Sequence, residues 1–190
     1  VVGLILPHAG YRYSGPVAAH GFRALQGQAV RRVVVLATSH RVGFSGLALT
    51  DATHWRTPLG EMGIDRDAVG QLVGVPLFAV RQDAFVQEHS LDIQVPFLQV
   101  VAPDAQLVPV VVGRLTAAQA VEAGRALRKL LDPHTVIVAS SDFTHYGPNY
   151  GYVPFDTDQP TRLKALADDA FRAIRDLDVT AFLSHQDQTD

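Results

Sequence analysis

The chain has 190 residues, no cysteine and a formal net charge of -3. Apolar residues make up 47 % and charged residues 18 % of it, which indicates a globular domain with a sizeable core. The charge balance gives no electrostatic argument for binding nucleic acid or a membrane surface. The sequence shows no signal peptide and no apolar stretch long enough to span a bilayer. The absence of cysteine suits a cytoplasmic protein, which is the localisation we expect.

Apolar strand-like runs alternate with helical patterns, which predicts an α/β fold with three αβα layers and a central, mostly parallel or mixed sheet. Strands are predicted at Val2 to Leu6, Arg32 to Thr38, Gly46 to Thr50, Gln106 to Val112 and Thr135 to Ser140. Helices are predicted at Ser14 to Leu25, Asp65 to Val73, Ser90 to Val101, Thr116 to Leu131 and Thr161 to Ile174. Pro96 should kink or break the third of these helices. The polar residues from Ser184 to Asp190 look structureless, and no linker divides the chain, so residues 1–190 are predicted to form a single domain.

Three of the strands are followed closely by a histidine: His8, His40 and His145. The carboxyl ends of parallel strands line one crevice of an open α/β sheet, and ligands bind there. Imidazole is the commonest metal-binding side chain, so this repeated placement predicts a metal site or an acid–base site. A histidine after a strand is often only a hydrogen-bonded structural residue, and that reading stays open for each one taken alone.

Two further acidic residues accompany histidines. Asp142 precedes His145 in an Asp-x-x-His element, where it could orient the imidazole, bind a metal or simply cap a helix. Glu88 precedes His89 at a predicted helix start, where the positive end of the helix favours an anion and a neutral histidine. His89 is therefore a candidate proton-transfer group, while Glu88 serves equally well as plain charge complementation.

The other four histidines lie in helices or polar loops and are interpreted as structural or surface residues: His20, His54, His134 and His185. Trp55 is interpreted as a core residue, with a pocket wall as the alternative. The sequence contains no dinucleotide-binding or P-loop motif, no His-Glu-x-x-His and no Gly-x-Ser-x-Gly.

Six collinear motifs resemble the Memo family, which includes the proteins called AmmeMemoRadiSam system protein B. The motifs are Pro7-His8-Ala9-Gly10-Tyr11, Ser39-His40, Arg56-Thr57-Pro58-Leu59-Gly60, Glu88-His89-Ser90-Leu91-Asp92 with Pro96, Pro109-Val110-Val111-Val112-Gly113, and Ser140-Ser141-Asp142-Phe143-Thr144-His145-Tyr146-Gly147. The resemblance implies the fold of class III (LigB-like) extradiol dioxygenases, which hold non-haem iron at one end of an α/β sheet.

Carried over by position, the resemblance implies that His8 and His40 bind a metal and that His145 is a further pocket histidine. His145, Asp142 or water would complete the metal shell, while His145 and His89 would move protons and Asp142 would orient them. The family usually supplies a cysteine from a later segment, and this chain has none. We therefore expect a C-terminal segment and a few N-terminal residues to lie outside these 190 residues.

The first functional hypothesis is a non-haem iron (Fe2+) oxidoreductase of unknown substrate, with zinc or copper as alternative metals. A second is a non-catalytic binding or adaptor module, since eukaryotic relatives are described as adaptors in cell-motility signalling. A zinc hydrolase is a third, and a serine hydrolase is disfavoured because no Gly-Asp-Ser motif is present. The expected partners are a small-molecule or peptide ligand and, by resemblance, AMMECR-domain and radical SAM proteins, with no nucleic acid and no membrane.

Overall fold

A computed structural model describes residues 2–189 of the chain. It divides into two compact units, residues 1–141 and residues 142–190, and each is presented by itself. The prediction of one domain across all 190 residues stays a prediction. Within residues 2–189, no helix has both the length and the apolar character needed to cross a membrane.

In its described part, residues 2–141, the first unit contains eight strands and five α-helices. The strands are β1 (Gly3–Leu6), β2 (Arg32–Thr38), β3 (Leu47–Leu49), β4 (His54–Thr57), β5 (Gly60–Gly63), β6 (Phe78–Val80), β7 (Gln106–Val112) and β8 (Thr135–Ser140). The helices are α1 (Tyr11–Arg23), α2 (Arg66–Val73), α3 (His89–Asp92), α4 (Val95–Val101) and α5 (Ala117–Arg128).

Six of the strands form one sheet in the order β1-β8-β2-β7-β3-β6. All neighbouring pairs are parallel except β3 and β7, which are antiparallel. Strands β4 and β5 form a separate antiparallel hairpin. The sheet is therefore mixed but mostly parallel, as the sequence predicts.

Helices cover both faces of this sheet, and the side chains of β2 show it. Val33 and Val35 pack into one buried cluster with residues of α1, α3 and α4. Val34, which points to the opposite face, packs into a second cluster with residues of α2 and α5. A strand buried on both faces needs an almost wholly apolar sequence, which Val33-Val34-Val35-Leu36-Ala37 supplies. The three-layer αβα architecture is confirmed.

In its described part, residues 142–189, the second unit contains two α-helices, α6 (Gln159–Arg175) and α7 (Val179–Thr189). Ring contacts tie the segment before α6 into this unit. Phe143 packs edge-on against Phe171 of α6 at 5.0 Å between ring centroids, and Tyr146 stacks on Phe155 at the same distance. The prediction of a structureless tail is wrong from Ser184 to Thr189, because these residues complete α7; Asp190 lies outside the described residues.

Helix α3 begins at His89 and ends at Asp92, and α4 begins three residues later with Pro96 in its first turn. A proline is tolerated there because its missing N–H has no helical partner. The predicted break in this region is therefore confirmed, and it lies before Pro96. The strands β4, β5 and β6 are absent from the sequence prediction.

Candidate metal site

Strands β1, β8 and β2 are neighbours and run parallel, so their carboxyl ends lie at one edge of the sheet. His8 follows the end of β1 by two residues, and His40 follows the end of β2 by two residues. This adjacency is the arrangement expected from strand-end histidines in an open α/β sheet.

His8, His40 and His89 form a cluster in which each ring offers one nitrogen, and these nitrogens lie within 4.8 Å of one another. The ring centroids are 5.1 Å apart for His8 and His40, and 4.7 Å apart for His40 and His89. His8 is buried, whereas the other two rings are accessible. Within residues 2–189, these three histidines are the one group of at least three potential ligands placed closely enough to hold a metal ion.

The ring of His40 is held by a buried carboxylate. Its Nδ1 lies 2.8 Å from Oε1 of Glu88, and its backbone N–H donates to Oε2 at 2.6 Å. Because an ionised carboxylate can only accept, the His40 ring must carry its proton on Nδ1. This is the carboxylate–histidine arrangement that orients many metal-binding imidazoles and raises their basicity.

Glu88 is only 1 % exposed, yet it remains ionised. Burial acts to raise its pKa, but hydrogen bonds from the backbone and side chains of His40 and Ser90 outweigh burial and lower the pKa to about 2. Glu88 also precedes α3, where its side chain accepts from the backbone N–H of Ser90 at 3.0 Å. The Glu88 side chain thus caps the helix that carries His89, and the same side chain orients the His40 ring.

The Nδ1 atom of His8 contacts a neutral group instead. It lies 2.9 Å from Oγ of Ser140, the last residue of β8. The same Oγ donates to the carbonyl oxygen of Ser90 at 2.6 Å and accepts from the side-chain amide of Gln94 at 2.8 Å. These three side chains are all buried, so the network is shielded from water.

Within the described part of the chain, His89 has no comparably close hydrogen-bond partner. Its Nδ1 is 3.7 Å from Oε1 of Glu88, which is beyond a hydrogen bond, and its side chain is 46 % exposed. It also lies on a helix of only four residues. The cluster therefore combines two fixed rings with one that is more exposed and less constrained.

Asp92 extends the polar surroundings along α3. Its Oδ1 accepts from the indole N–H of Trp55 at 3.2 Å. Desolvation and the charge of Glu88 raise its pKa, against the lowering effect of the Trp55 bond. Trp55 itself is half-buried and packs against the core, so the interpretation as a core residue is confirmed, with a polar contact in addition.

Asp142 and His145 belong to the second unit. Oδ2 of Asp142 lies 3.9 Å from Nε2 of His145, so the two side chains of the Asp-x-x-His element do approach each other. Phe143 between them has a left-handed backbone with φ of 60°. Their predicted roles, His145 as metal ligand and proton carrier and Asp142 as its orienting group, stay predictions.

The sequence prediction placed His8 and His40 at the metal and His89 in proton transfer, and the structure brings these three together. The sequence prediction did not identify Ser140 as the partner of His8, Gln94 as a second partner of Ser140, or Glu88 as the partner of His40. Glu88 was noticed for its position beside His89 in a family-like motif and at a predicted helix start, and neither signal pointed to His40.

The donor chemistry of the cluster fits a transition-metal ion. Imidazole nitrogens suit iron, zinc, copper and nickel, whereas magnesium and calcium prefer oxygen ligands. The hydrogen bond from His40 to Glu88 is also the kind of support that metal-binding histidines receive. The fold and the cluster thus define an α/β protein with a candidate histidine metal site.

Comparison of the sequence with known proteins identifies the family of this chain. The Memo-like protein family matches the chain over residues 1–190, and the chain belongs to that family. It is 38 % identical to a MEMO1 family protein of Pyrobaculum aerophilum over 78 % of this chain and 54 % of that protein. It is 33 % identical to Protein MEMO1 of Xenopus laevis over 92 % of this chain and 58 % of that protein.

The chain thus spans about half the length of the curated relatives it matches. Among solved structures, an uncharacterized protein of Escherichia coli K12 aligns with a TM-score of 0.49 and 21 % identity, over 76 % of this chain and 61 % of that one.

Proposed function

We propose that this protein binds a non-haem metal ion, iron(II) as the first candidate, through His8 and His40, with His89 as the third nitrogen. The observation that carries the proposal is the convergence of three ring nitrogens within 4.8 Å at the carboxyl edge of a mostly parallel sheet. Neutral imidazole nitrogens so close together can offer their lone pairs to one divalent cation.

We further propose that the site serves a metal-dependent oxidoreductase. Iron(II) bound by a few protein ligands keeps open positions at which a substrate and dioxygen can meet. The protein side chains would act around it: Glu88 holds the His40 ring, and Asp92, exposed on the same short helix as His89, can carry a proton to or from bulk water. The substrate would enter from the side where His40 and His89 are accessible.

One observation favours a second candidate, a zinc hydrolase. Catalytic zinc sites commonly use three protein ligands and keep one position for water, and a three-histidine set meets that requirement. The identity of the metal that the purified protein carries therefore separates the two candidates.

The first experiment is metal analysis of protein purified without oxygen, for the wild type and for a His8→Ala/His40→Ala double variant. We expect close to one metal per wild-type chain and a loss of most of it in the variant. A His20→Ala/His54→Ala double variant is the matched control, because these histidines are exposed and lie outside the cluster. Equal metal content in all three proteins would overturn the proposal.

The second experiment is oxygen uptake by the iron-loaded protein with a panel of catechols, beside ester hydrolysis by the zinc-loaded protein. Oxygen consumption that depends on His89 supports the oxidoreductase. Hydrolysis without oxygen consumption supports the zinc candidate. Metal binding with neither activity across both panels would contradict the enzymatic part and favour a binding module.

A further inference from the structure

We propose that Ser140 fixes a proton on Nδ1 of His8, and that Ser140 is therefore a positioning residue that leaves Nε2 as the nitrogen through which His8 binds a metal. The assignment of the Nδ1 proton concerns the protein without metal. Only the statement that His8 binds a metal through Nε2 rests on the proposed function.

The argument begins with the single proton of the Ser140 hydroxyl. A serine oxygen has one proton to donate and two lone pairs to accept with. Three groups surround this oxygen: the Ser90 carbonyl oxygen at 2.6 Å, the Gln94 amide nitrogen at 2.8 Å and His8 Nδ1 at 2.9 Å.

Two of these neighbours have only one possible role. The Ser90 carbonyl oxygen can only accept, and at 2.6 Å two oxygen atoms must share a proton or their lone pairs would repel. The Ser140 proton therefore points to Ser90. The Gln94 nitrogen can only donate, so it occupies one of the two lone pairs.

The remaining lone pair faces His8, whose Nδ1 must then be a donor. This holds for the neutral ring and for the cationic ring alike, because Nδ1 carries a proton in both. The hydrogen-bond network therefore decides the tautomer of His8. Neutral histidine in water prefers the opposite form, with its proton on Nε2, so the protein reverses the intrinsic preference.

The orientation of the Gln94 amide supports the same assignment. Its nitrogen lies 3.0 Å from the Pro7 carbonyl oxygen, so a flipped amide would place two oxygens face to face. In the orientation observed, Oε1 is buried without a hydrogen-bond partner among the described residues. An unsatisfied buried oxygen is unfavourable, and it is tolerated here because both amide hydrogens serve the network beside His8.

The consequence is that His8 and His40 share one tautomer although their partners differ. Glu88 sets Nδ1–H in His40, and Ser140 sets Nδ1–H in His8. Both rings are thus prepared to bind a metal through Nε2 before any metal arrives. Preparing two ligands in advance removes a reorganisation step that would weaken binding.

The direct test is nitrogen NMR of the histidine rings in 15N-labelled, metal-free wild-type protein, at a pH where His8 is neutral. The His8 signals are assigned by their disappearance in His8→Gln. We expect a protonated, pyrrole-type Nδ1 and a pyridine-type Nε2 for His8. A pyridine-type Nδ1 in the wild type would overturn the inference.

Ser140→Ala removes the acceptor, and the His8 proton should then move largely to Nε2, while Ser140→Thr keeps the hydroxyl and should retain Nδ1–H. Ser14→Ala is the matched control, because that hydroxyl also donates to a backbone carbonyl, at 2.8 Å, without contacting a histidine. An unchanged His8 spectrum in folded Ser140→Ala would contradict the role of Ser140. If that variant does not fold, the wild-type and Ser140→Thr spectra decide.

The link to metal binding has its own readout, titration with Zn2+ alone. We expect Ser140→Ala to weaken Zn2+ binding about 10- to 100-fold, as is typical when the partner of a metal-binding histidine is lost. Ser140→Thr should restore the affinity, and an affinity equal to the wild type in Ser140→Ala would overturn this link. If the wild type binds no metal but shows Nδ1–H, the proposed function fails and the tautomer assignment stands.

Discussion

His8 and His40 occupy equivalent places at the ends of two parallel strands, yet they are supported by different chemistry. His40 donates to a buried, ionised carboxylate, whereas His8 donates to a hydroxyl that belongs to a neutral network. A carboxylate partner makes the imidazole more electron-rich and the bond stronger, while a hydroxyl partner mainly fixes its orientation. Equivalent positions in the fold therefore do not imply equivalent ligands.

Glu88, which holds His40, and the Ser140 network, which holds His8, also need different numbers of hydrogen-bond partners from the fold. Glu88 is a buried charge that needs several donors at once, and it receives them from two residues, His40 and Ser90. The Ser140 network tolerates one unsatisfied oxygen, on Gln94. A substitution of Glu88 should accordingly lower the free energy of unfolding more than a substitution in the Ser140 network.

The largest effect is expected for Glu88→Gln. An amide nitrogen would replace one carboxylate oxygen and face the N–H donors of His40 or Ser90, which leaves buried groups unpaired. We expect the free energy of unfolding to fall by about 3 kcal/mol and metal affinity to fall about 10- to 100-fold. Chemical denaturation and metal titration measure the two effects.

The matched control for that change is Glu61→Gln, which neutralises an exposed carboxylate paired with Arg56 at 2.7 Å. Exposed pairs contribute little to stability, so this variant should behave like the wild type. If both substitutions lower stability equally, the buried support of His40 has no special role.

A smaller effect is expected for Gln94→Leu. The substitution leaves the Pro7 carbonyl without its amide donor, but it also removes the unsatisfied Oε1. We expect a loss of about 1 kcal/mol in the free energy of unfolding, with the His8 proton still on Nδ1 because Ser90 still takes the Ser140 proton. Denaturation and ring NMR check this, with Gln26→Leu on the surface as the control. A loss as large as that of Glu88→Gln would contradict the comparison.

Asp92→Asn probes the third, less constrained side of the cluster. Burial and then the charge of Asp92 raise the pKa of Tyr11, whose hydroxyl donates to the Ile93 carbonyl oxygen. Removing the charge should lower the pKa of Tyr11 towards its ordinary value without reaching it, since burial remains. The Asn side chain keeps an oxygen for Trp55. Ultraviolet titration of tyrosine, with Tyr11→Phe as background, measures the change, and an unchanged or higher pKa would rule out this coupling.

The smallest effect is expected for Gln87→Gly. Gln87 has a left-handed backbone with φ of 58°, directly before Glu88. Glycine adopts this conformation without steric cost but has a more flexible unfolded chain, so stability should rise by no more than about 1 kcal/mol. Gln71→Gly within α2 should instead destabilise the protein. A marked loss of metal affinity in Gln87→Gly would show that the glutamine side chain itself supports the site.

The elements best predicted from the sequence are those whose side chains are buried on both faces. The bounds of β2, β7 and β8 match the prediction because their apolar runs leave no alternative reading. Strand β6 has only three residues, two of them exposed, and the β4–β5 hairpin is largely polar. Such segments become strands through their neighbours rather than through their own pattern.

The candidate site shows the same limit. His8 and His40 could be predicted because a histidine after a buried strand is visible in one local stretch. The partnership of His8 with Ser140 could not, because it joins residues 132 positions apart and depends on β1 lying beside β8. The neighbour of a ligand is thus a property of strand order, which a single sequence does not display.

That separation of 132 residues also has a kinetic consequence. Among the strands of residues 2–189, β1 pairs with β8 alone, so it cannot be incorporated into this sheet until most of the first unit has been synthesised and β8 has formed. Contacts between such distant positions require a large loop to close and form slowly. His8 is synthesised before Ser140, yet it reaches this partner only late in folding, and a metal ion that needs His8 in its native place can be captured only when the first unit has nearly finished folding.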